Sequence, residues 1–301
     1  MLEDSRRNGA FARAVRRALA RRPAETVVEI GAGAGLLALV AARAAPAATV
    51  YAVEENREMA DVLDATLSAN GSPANARVVR ARSTAWSVPG DGARADVVIA
   101  EVFDAGLLGE GCLPTLRDAA RRILRRGGEM IPRSAALYCV LLDATPKAAA
   151  GIEARALDAV PRFALARATV PLSVDLRAAS GARRLSPPSR LFSFDFTDGD
   201  APLERVAAAS TTFAAAGTLN AYALYFVLDL DGDASLSTSP DDPPTCWFQS
   251  LRYLPAPLDV RPGATVTLRA AHTADSVAVA VENLRPPPYR PRASAAGVVA
   301  G

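Results

Sequence analysis

The chain has 301 residues, half of them hydrophobic, with 34 Lys and Arg against 32 Asp and Glu. A net charge of +2 gives no footprint for nucleic-acid binding, and no apolar run approaches the roughly 20 residues of a membrane span. A single histidine, His272, and three cysteines, Cys112, Cys139 and Cys246, exclude multi-histidine metal sites and a disulfide framework. They point to a reducing compartment, cytoplasm or nucleus.

At about 100–200 residues per domain, the length predicts two domains. The opening stretch MLEDSRRNGAFARAVRRALARRP predicts a first helix that stops at Pro23; Glu3 and Asp4 argue against a transit peptide. TVVEI (26–30) predicts a buried strand, and GAGAGLLALVAARAA a glycine turn opening a helix. TVYAVE (49–54) predicts a second strand, followed by the helical NREMADVLDATLSANG. ARVVRA (76–81) and ADVVIAE (95–101) are a third and a fourth strand. GCLPTLRDAARRILRRGG predicts a helix closed by Gly127 and Gly128. This alternation means α/β: a parallel sheet with helices on both faces.

After EMIPRSAALYCVLLDA the pattern changes. Helical periodicity is strong only in 147–158. LFSFDF, LNAYALYFVLDLD, SLRYLP, ATVTLRAAH and SVAVAVENL are short strands separated by Pro and Gly, spaced like an antiparallel sandwich or barrel. LDLDGDASLS predicts a hairpin with Asp-Gly at the turn. The end, RPPPYRPRASAAGVVAG, reads as a loosely held tail. The expected domains are 1–142 and 143–284, with a tail over 285–301.

Glu29-Ile30-Gly31-Ala32-Gly33-Ala34-Gly35 lies between a strand and a helix. The glycines allow a tight turn and close approach of a ligand, and the helix start offers free N–H groups. The spacing is GxGxG and not GxGxxG, which makes pyrophosphate binding less favoured. Glu54 ends the second strand, where an acid can accept from two ribose hydroxyls. Together these point to a nucleoside cofactor without a pyrophosphate, a description that S-adenosyl-L-methionine fits. The fourth strand runs into Glu101, and Glu110 follows nine positions later across an apolar loop. Paired carboxylates at the carboxyl end of a strand suit a planar cation, since each can take a fork of guanidinium N–H donors. The same pair also reads as a strand-end acid plus a helix-initiating acid.

MLEDSRRN, EIGAGAGLL, YAVEEN, EVFDAGLLGEG and TCWFQ stand in the order seen in the protein arginine methyltransferases. The chain resembles that family from residue 1 to about 250, and is most similar to its ninth and seventh branches. The resemblance implies a class I, Rossmann-like S-adenosylmethionine-dependent methyltransferase domain followed by an antiparallel β-barrel. It implies methyl transfer to the guanidino nitrogen of arginine in protein substrates, with symmetric dimethylation suggested by the branch. Glu101 and Glu110 match the two catalytic glutamates. Arg7 matches the arginine that pairs with the cofactor's methionine carboxylate, Gly31 and Gly33 the glycines beside the cofactor, and Glu29 the acid ahead of them. Glu54 matches the ribose-binding acid, and Cys246 and Trp247 fall in the loop that walls the substrate site. A homodimer or a pairing with a second methyltransferase module is implied, with a dimerisation segment near 143–190.

The chain departs from the family in four places. The family has helices ahead of the position of Met1 that close over the cofactor. Ala85 stands where an acid usually contacts the adenine, leaving Ser83 and Thr84 for that task. Cys246 replaces a histidine whose Asp partner is represented by Asp4. The ninth and seventh branches carry two modules in one chain, where this one has one. The missing N-terminal helices, Ala85 and the single module motivate an alternative, a catalytically degenerate module acting as a binding or scaffolding partner. A third reading is a small-molecule methyltransferase of the same fold.

Overall fold

The computed structural model describes residues 2–144, 171–179 and 181–287. Helix α1 (Ser5–Arg21) starts at Asp4, whose side chain accepts the Arg7 N–H, and buries Phe11, Val15 and Leu19. Its other end is held by Arg17, which forks onto Asp231 with Nε and Nη2 at 2.8 and 2.9 Å.

Strands β1 (Thr26–Ile30), β2 (Thr49–Glu54), β3 (Ala76–Arg80), β4 (Ala95–Ala100) and β5 (Leu124–Ile131) form a parallel sheet in the order β3-β2-β1-β4-β5. Helices α2 (Leu36–Ala44), α3 (Arg57–Ala69) and α4 (Cys112–Asp118) lie between them in the chain. β1 and β4 are central and buried almost throughout, which is why they read as unbroken apolar runs. The strand order reverses between β1 and β4, so their carboxyl ends open onto a crevice.

The helix expected through residue 126 is shorter. After α4 a π-helical turn, Ala119–Ile123, leads directly into β5. Gly127 and Gly128 therefore belong to a strand. Gly127 has φ 72°, and a Cβ on Gly128 would come 2.8 Å from the backbone oxygen of Asp96, beside an irregularity in the β4–β5 register. Adjacent glycines give the same local signal for a helix cap and for a strand bulge.

The sheets change at Pro132-Arg133. β6 (Ser134–Ala144), which an expected boundary at 142/143 leaves in the first domain, pairs antiparallel with the strand Gly217–Asp229 from Ser134↔Asp229 to Leu142↔Ala221. The antiparallel part comprises β7 (Leu172–Val174), β8 (Ala182–Arg184), β9 (Ser189–Asp195), β10 (Arg205–Thr212), β11 (Gly217–Asp229), β12 (Ser235–Ser237), β13 (Gln249–Val260), β14 (Thr265–His272) and β15 (Val277–Arg285). One sheet runs β7-β13-β11-β6-β8, with β9 added on β6 and β12 on β11; a second runs β10-β14-β15. The expected hairpin joins β11 to β12, with Gly232 at φ 88° in its turn. β10 was not expected: RVAAASTT carries no apolar alternation. The 147–158 stretch, most of the expected dimerisation segment and the tail beyond Pro287 lie outside the described residues.

One hydrophobic cluster runs through both halves. At their junction Phe103, from the loop after β4, meets Phe226 of β11 and Trp247, with ring centroids 6.4 Å from each. Each such buried aromatic contributes about 1.5–3 kcal/mol. The junction places the loop before β13 over the crevice of the parallel sheet.

Candidate active site

The crevice is a cavity of about 860 Å³. Glu29, Gly31, Gly33, Glu54, Ser83, Thr84, Arg7, Glu101 and Glu110 all line it. Nine of the eleven residues expected at the site are therefore together in one space; Cys246 and Trp247 line a neighbouring pocket that shares Glu110.

Gly31, Gly33 and Gly35 have φ of 68°, 51° and 84°, a left-handed run that side chains resist. A Cβ on Gly31 would come 2.8 Å from Val102 Cγ1, and one on Gly35 2.3 Å from Leu63 Cδ1. Glu54 holds the loop: Oε2 accepts the Gly33 N–H at 2.8 Å and Oε1 the Asn56 N–H at 2.8 Å. The turn after β3, Ser83–Ala85, closes this side of the cavity, with Ser83 buried and Thr84 exposed. Glu29 is buried and its Oε2 has no hydrogen-bond partner. Burial pushes its carboxyl well above the usual range; the charges of Glu101 and Glu54 add to that rise and a backbone hydrogen bond from Ala38 opposes it.

The loop after β4 is built by Asp104. Its Oδ1 accepts the N–H groups of Gly106 at 3.1 Å and Gly109 at 2.9 Å, and its carbonyl accepts that of Leu107. Leu107 and Leu108 anchor the loop in the core, Leu107 at a strained φ of 77°. The loop delivers Glu101 and Glu110 to one cavity. Burial raises the Glu101 carboxyl to about 7; Arg7 opposes that rise and Glu110 adds to it. Glu110 is more exposed, and partial burial with the nearby Asp104 charge raises it too.

Arg7 donates from Nη1 to Glu101 Oε2 at 2.8 Å, and forks Nε and Nη2 onto Asn8 Oδ1. Its guanidinium also lies 5.7 Å from the Trp247 ring centre. Asp4 joins the two sides of the site: one carboxylate oxygen accepts the Arg7 N–H at 2.8 Å, the other the Cys246 N–H at 2.7 Å. Burial works against the Asp4 charge, but these hydrogen bonds outweigh it and hold its carboxyl below the usual value. Glu101 Oε1 and the Trp247 indole N–H are buried without a partner of normal hydrogen-bond geometry, although the indole is close enough to favour the ionised carboxylate.

Residues 162–279 match the family model of the arginine methyltransferase oligomerization subdomain, and residues 27–128 match that of a methyltransferase domain. The chain is 33% identical over 283 residues to an arginine N(omega)-methyltransferase of Streptomyces achromogenes subsp. streptozoticus, covering 89% of this chain and 74% of that one. The chain belongs to the arginine methyltransferase family. It is 27% identical over 326 residues to protein arginine N-methyltransferase 7 of Danio rerio, covering 97% of this chain and 47% of the relative, so it spans about half that protein's length. Two solved structures share the fold. The Trypanosoma brucei protein arginine methyltransferase 1 enzyme-prozyme heterotetramer with AdoHcy has a TM-score of 0.76 at 21% identity, covering 95% of this chain and 96% of that one. Arabidopsis thaliana protein arginine methyltransferase 10 has a TM-score of 0.74 at 20% identity, covering 95% of each chain.

For a methyltransferase of this family the methyl donor is S-adenosylmethionine, and the residues present suit it. The left-handed glycine run bares backbone to the cavity, Glu54 stands at the end of β2, and Glu29 and Glu101 carry buried oxygens without partners. Three contributors escaped the reading of residues. Asp104 shows its role only once its bonds to Gly106 and Gly109 are known, although Asp followed by Gly two and five positions on is a turn signal. Asn8 and Phe103 act through contacts that no spacing announces.

Proposed function

We propose that this chain transfers a methyl group from S-adenosylmethionine to the guanidino nitrogen of arginine in protein substrates. The observation that carries this is the convergence of Glu101 and Glu110 on the cavity whose other wall is the glycine run and Glu54. Bound there, S-adenosylmethionine supplies an electrophilic methyl on a sulfonium. Gly31, Gly33 and Glu54 would hold its nucleoside part and Arg7 its carboxylate. Glu101 and Glu110 bind and orient the incoming guanidinium, and their negative charge offsets the repulsion between two cations. Aligning the nitrogen with the methyl supplies much of the rate. Trp247, packed on Phe103 and Phe226, excludes water from that meeting point.

The acceptor pocket favours arginine within a chain. It has a volume of about 320 Å³ and is lined by Asp104, Glu110, Cys246, Trp247 and Ser250 among others; none of its described lining residues is basic. A free arginine would bring an α-ammonium and an α-carboxylate, and no described lining residue offers a cation to pair the carboxylate, whereas a peptide arginine brings neutral amides. Free arginine is the second reading, supported by the name of the Streptomyces relative, which does not specify protein. Symmetric dimethylarginine as the product rests on the resemblance of DAGLLGEG and SLSTSPDDPPTCW to the ninth branch. The match to the oligomerization subdomain supports a homodimer, and closure of the antiparallel sheets into a barrel belongs to the same proposal. Three free thiols support a cytoplasmic or nuclear location.

The test is incubation with S-adenosylmethionine and, separately, arginine-containing peptides and free arginine, followed by amino-acid analysis. Methylated peptide arginine is expected. Methylation of free arginine alone would replace the first reading with the second. Cofactor binding without any transfer would favour a degenerate module.

A further inference from the structure

The cavity is walled by four strand ends that follow the sheet: Glu101 after β4, Gly31 after β1, Glu54 ending β2 and Ser83 after β3. A nucleoside with its ribose at Glu54 and its reacting end at Glu101 must lay its base against the Ser83–Trp86 turn. That turn is short and carries no charged side chain of its own. Its position depends on an arginine from elsewhere.

Arg122 lies in the π-helical turn that follows α4, a rare geometry often found near functional sites. All five of its guanidinium hydrogens are used. Nε and Nη2 fork onto Asp118 Oδ1 and Oδ2 at 2.7 and 2.6 Å, which fixes the plane of the group. The remaining Nη2 hydrogen reaches the Ser83 carbonyl at 3.1 Å. The two on Nη1 reach the Trp86 carbonyl at 3.0 Å and Ser87 Oγ at 3.1 Å. α4 itself starts just after Glu110 and contributes Pro114 and Thr115 to the cavity wall. One side chain therefore ties the turn under the base to the helix that leads away from the catalytic loop.

We propose that Arg122, oriented by Asp118, is the positioning residue for the cofactor's base. It acts through the backbone of the Ser83–Trp86 turn and touches neither substrate nor cofactor. The inference rests on the cofactor reading above. Only a planar group with five donors can serve Asp118, two carbonyls and a hydroxyl together, so lysine cannot replace it.

The test compares the wild-type chain with Arg122→Ala, Arg122→Lys and Asp118→Asn. Binding of S-adenosylhomocysteine and of methylthioadenosine, which keeps only the nucleoside end, is measured by calorimetry. Arg122→Ala is expected to weaken both ligands by the same factor, about tenfold or more, with Arg122→Lys giving no rescue. The KM for S-adenosylmethionine should rise by a similar factor while kcat at saturation stays within about threefold. Tryptophan fluorescence, read in a Trp247→Phe background so that only Trp86 reports, should change in Arg122→Ala without ligand. Should Arg122→Ala not fold, the same KM-against-kcat split in Asp118→Asn decides the question. Unchanged affinity in a folded Arg122→Ala, full rescue by lysine, or a loss seen with S-adenosylhomocysteine alone would overturn the proposal. If the wild-type chain binds neither nucleoside, the cofactor reading falls and takes this inference with it.

Discussion

Arg7 Nη1 sits 2.8 Å from Glu101 Oε2, with both side chains almost wholly enclosed. The pair joins the residue expected to meet the cofactor's carboxylate to the residue expected to meet the acceptor guanidinium. Removing one partner of such a buried pair leaves the other charge uncompensated, at a cost of roughly 3–5 kcal/mol or a shift in protonation. Arg7→Ala should therefore raise the Glu101 carboxyl further and lower both the melting temperature near neutral pH and the affinity for S-adenosylhomocysteine. A thermal scan and a calorimetric titration check this, and unchanged values in both would show that the pair is idle.

The Glu101 carboxyl, raised by burial to about 7, makes both stability and turnover depend on pH. The folded chain keeps a proton that the unfolded chain releases above the ordinary carboxyl value of 4.5. The resulting stabilisation is complete below that value and is lost as pH rises through about 7. Melting curves should show wild type losing stability relative to Glu101→Gln over that window. Because transfer needs the ionised carboxylate, the rate should rise over the same window. A rate that is flat across it would contradict the role.

Gly109 leaves no room for a side chain. A Cβ there would come 2.3 Å from Asp104 Oδ2 and 2.7 Å from its Cγ. Gly109→Ala must swing Asp104 away from the Gly106 and Gly109 N–H groups, at a cost of about 1–3 kcal/mol. Since the loop carries Glu110, transfer should drop by about tenfold or more, while S-adenosylhomocysteine affinity changes little. Equal loss of both would mean the damage spreads beyond the loop.

Glu54 uses both oxygens on backbone N–H groups of the loops it joins. Glu54→Ala removes the proposed ribose acceptor and frees Gly33, so S-adenosylhomocysteine binding should weaken by at least about a hundredfold. Calorimetry reads the outcome, with Glu54→Gln expected to fall between the two.

Much of the parallel half was legible because its strands are buried on both faces. TVVEI and TVYAVE could be bounded to the residue, as continuous apolar runs between turn signals. LRRGGEMI was not, since Arg and Gly-Gly hide β5 behind a helix-ending pattern. RVAAASTT hid β10 in the same way, its small residues giving no period of two. Within the site, local motifs exposed Gly31, Gly33, Glu54, Glu101 and Glu110. The links among them are long-range: Asp4 to Cys246 spans 242 positions and Arg7 to Glu101 spans 94, and no spacing rule reaches that far. Arg122 and Asp118 are four positions apart, a spacing that by itself signals no more than an ordinary surface ion pair.

In the proposed mechanism Glu101 and Glu110 act on the acceptor and not on the cofactor. It is tested most directly by measuring single-turnover methyl transfer to an arginine peptide in Glu101→Gln and Glu110→Gln, alongside S-adenosylhomocysteine affinity for each. Transfer should fall by about a hundredfold or more, with affinity within about threefold of wild type. Near-normal transfer in both variants would contradict it.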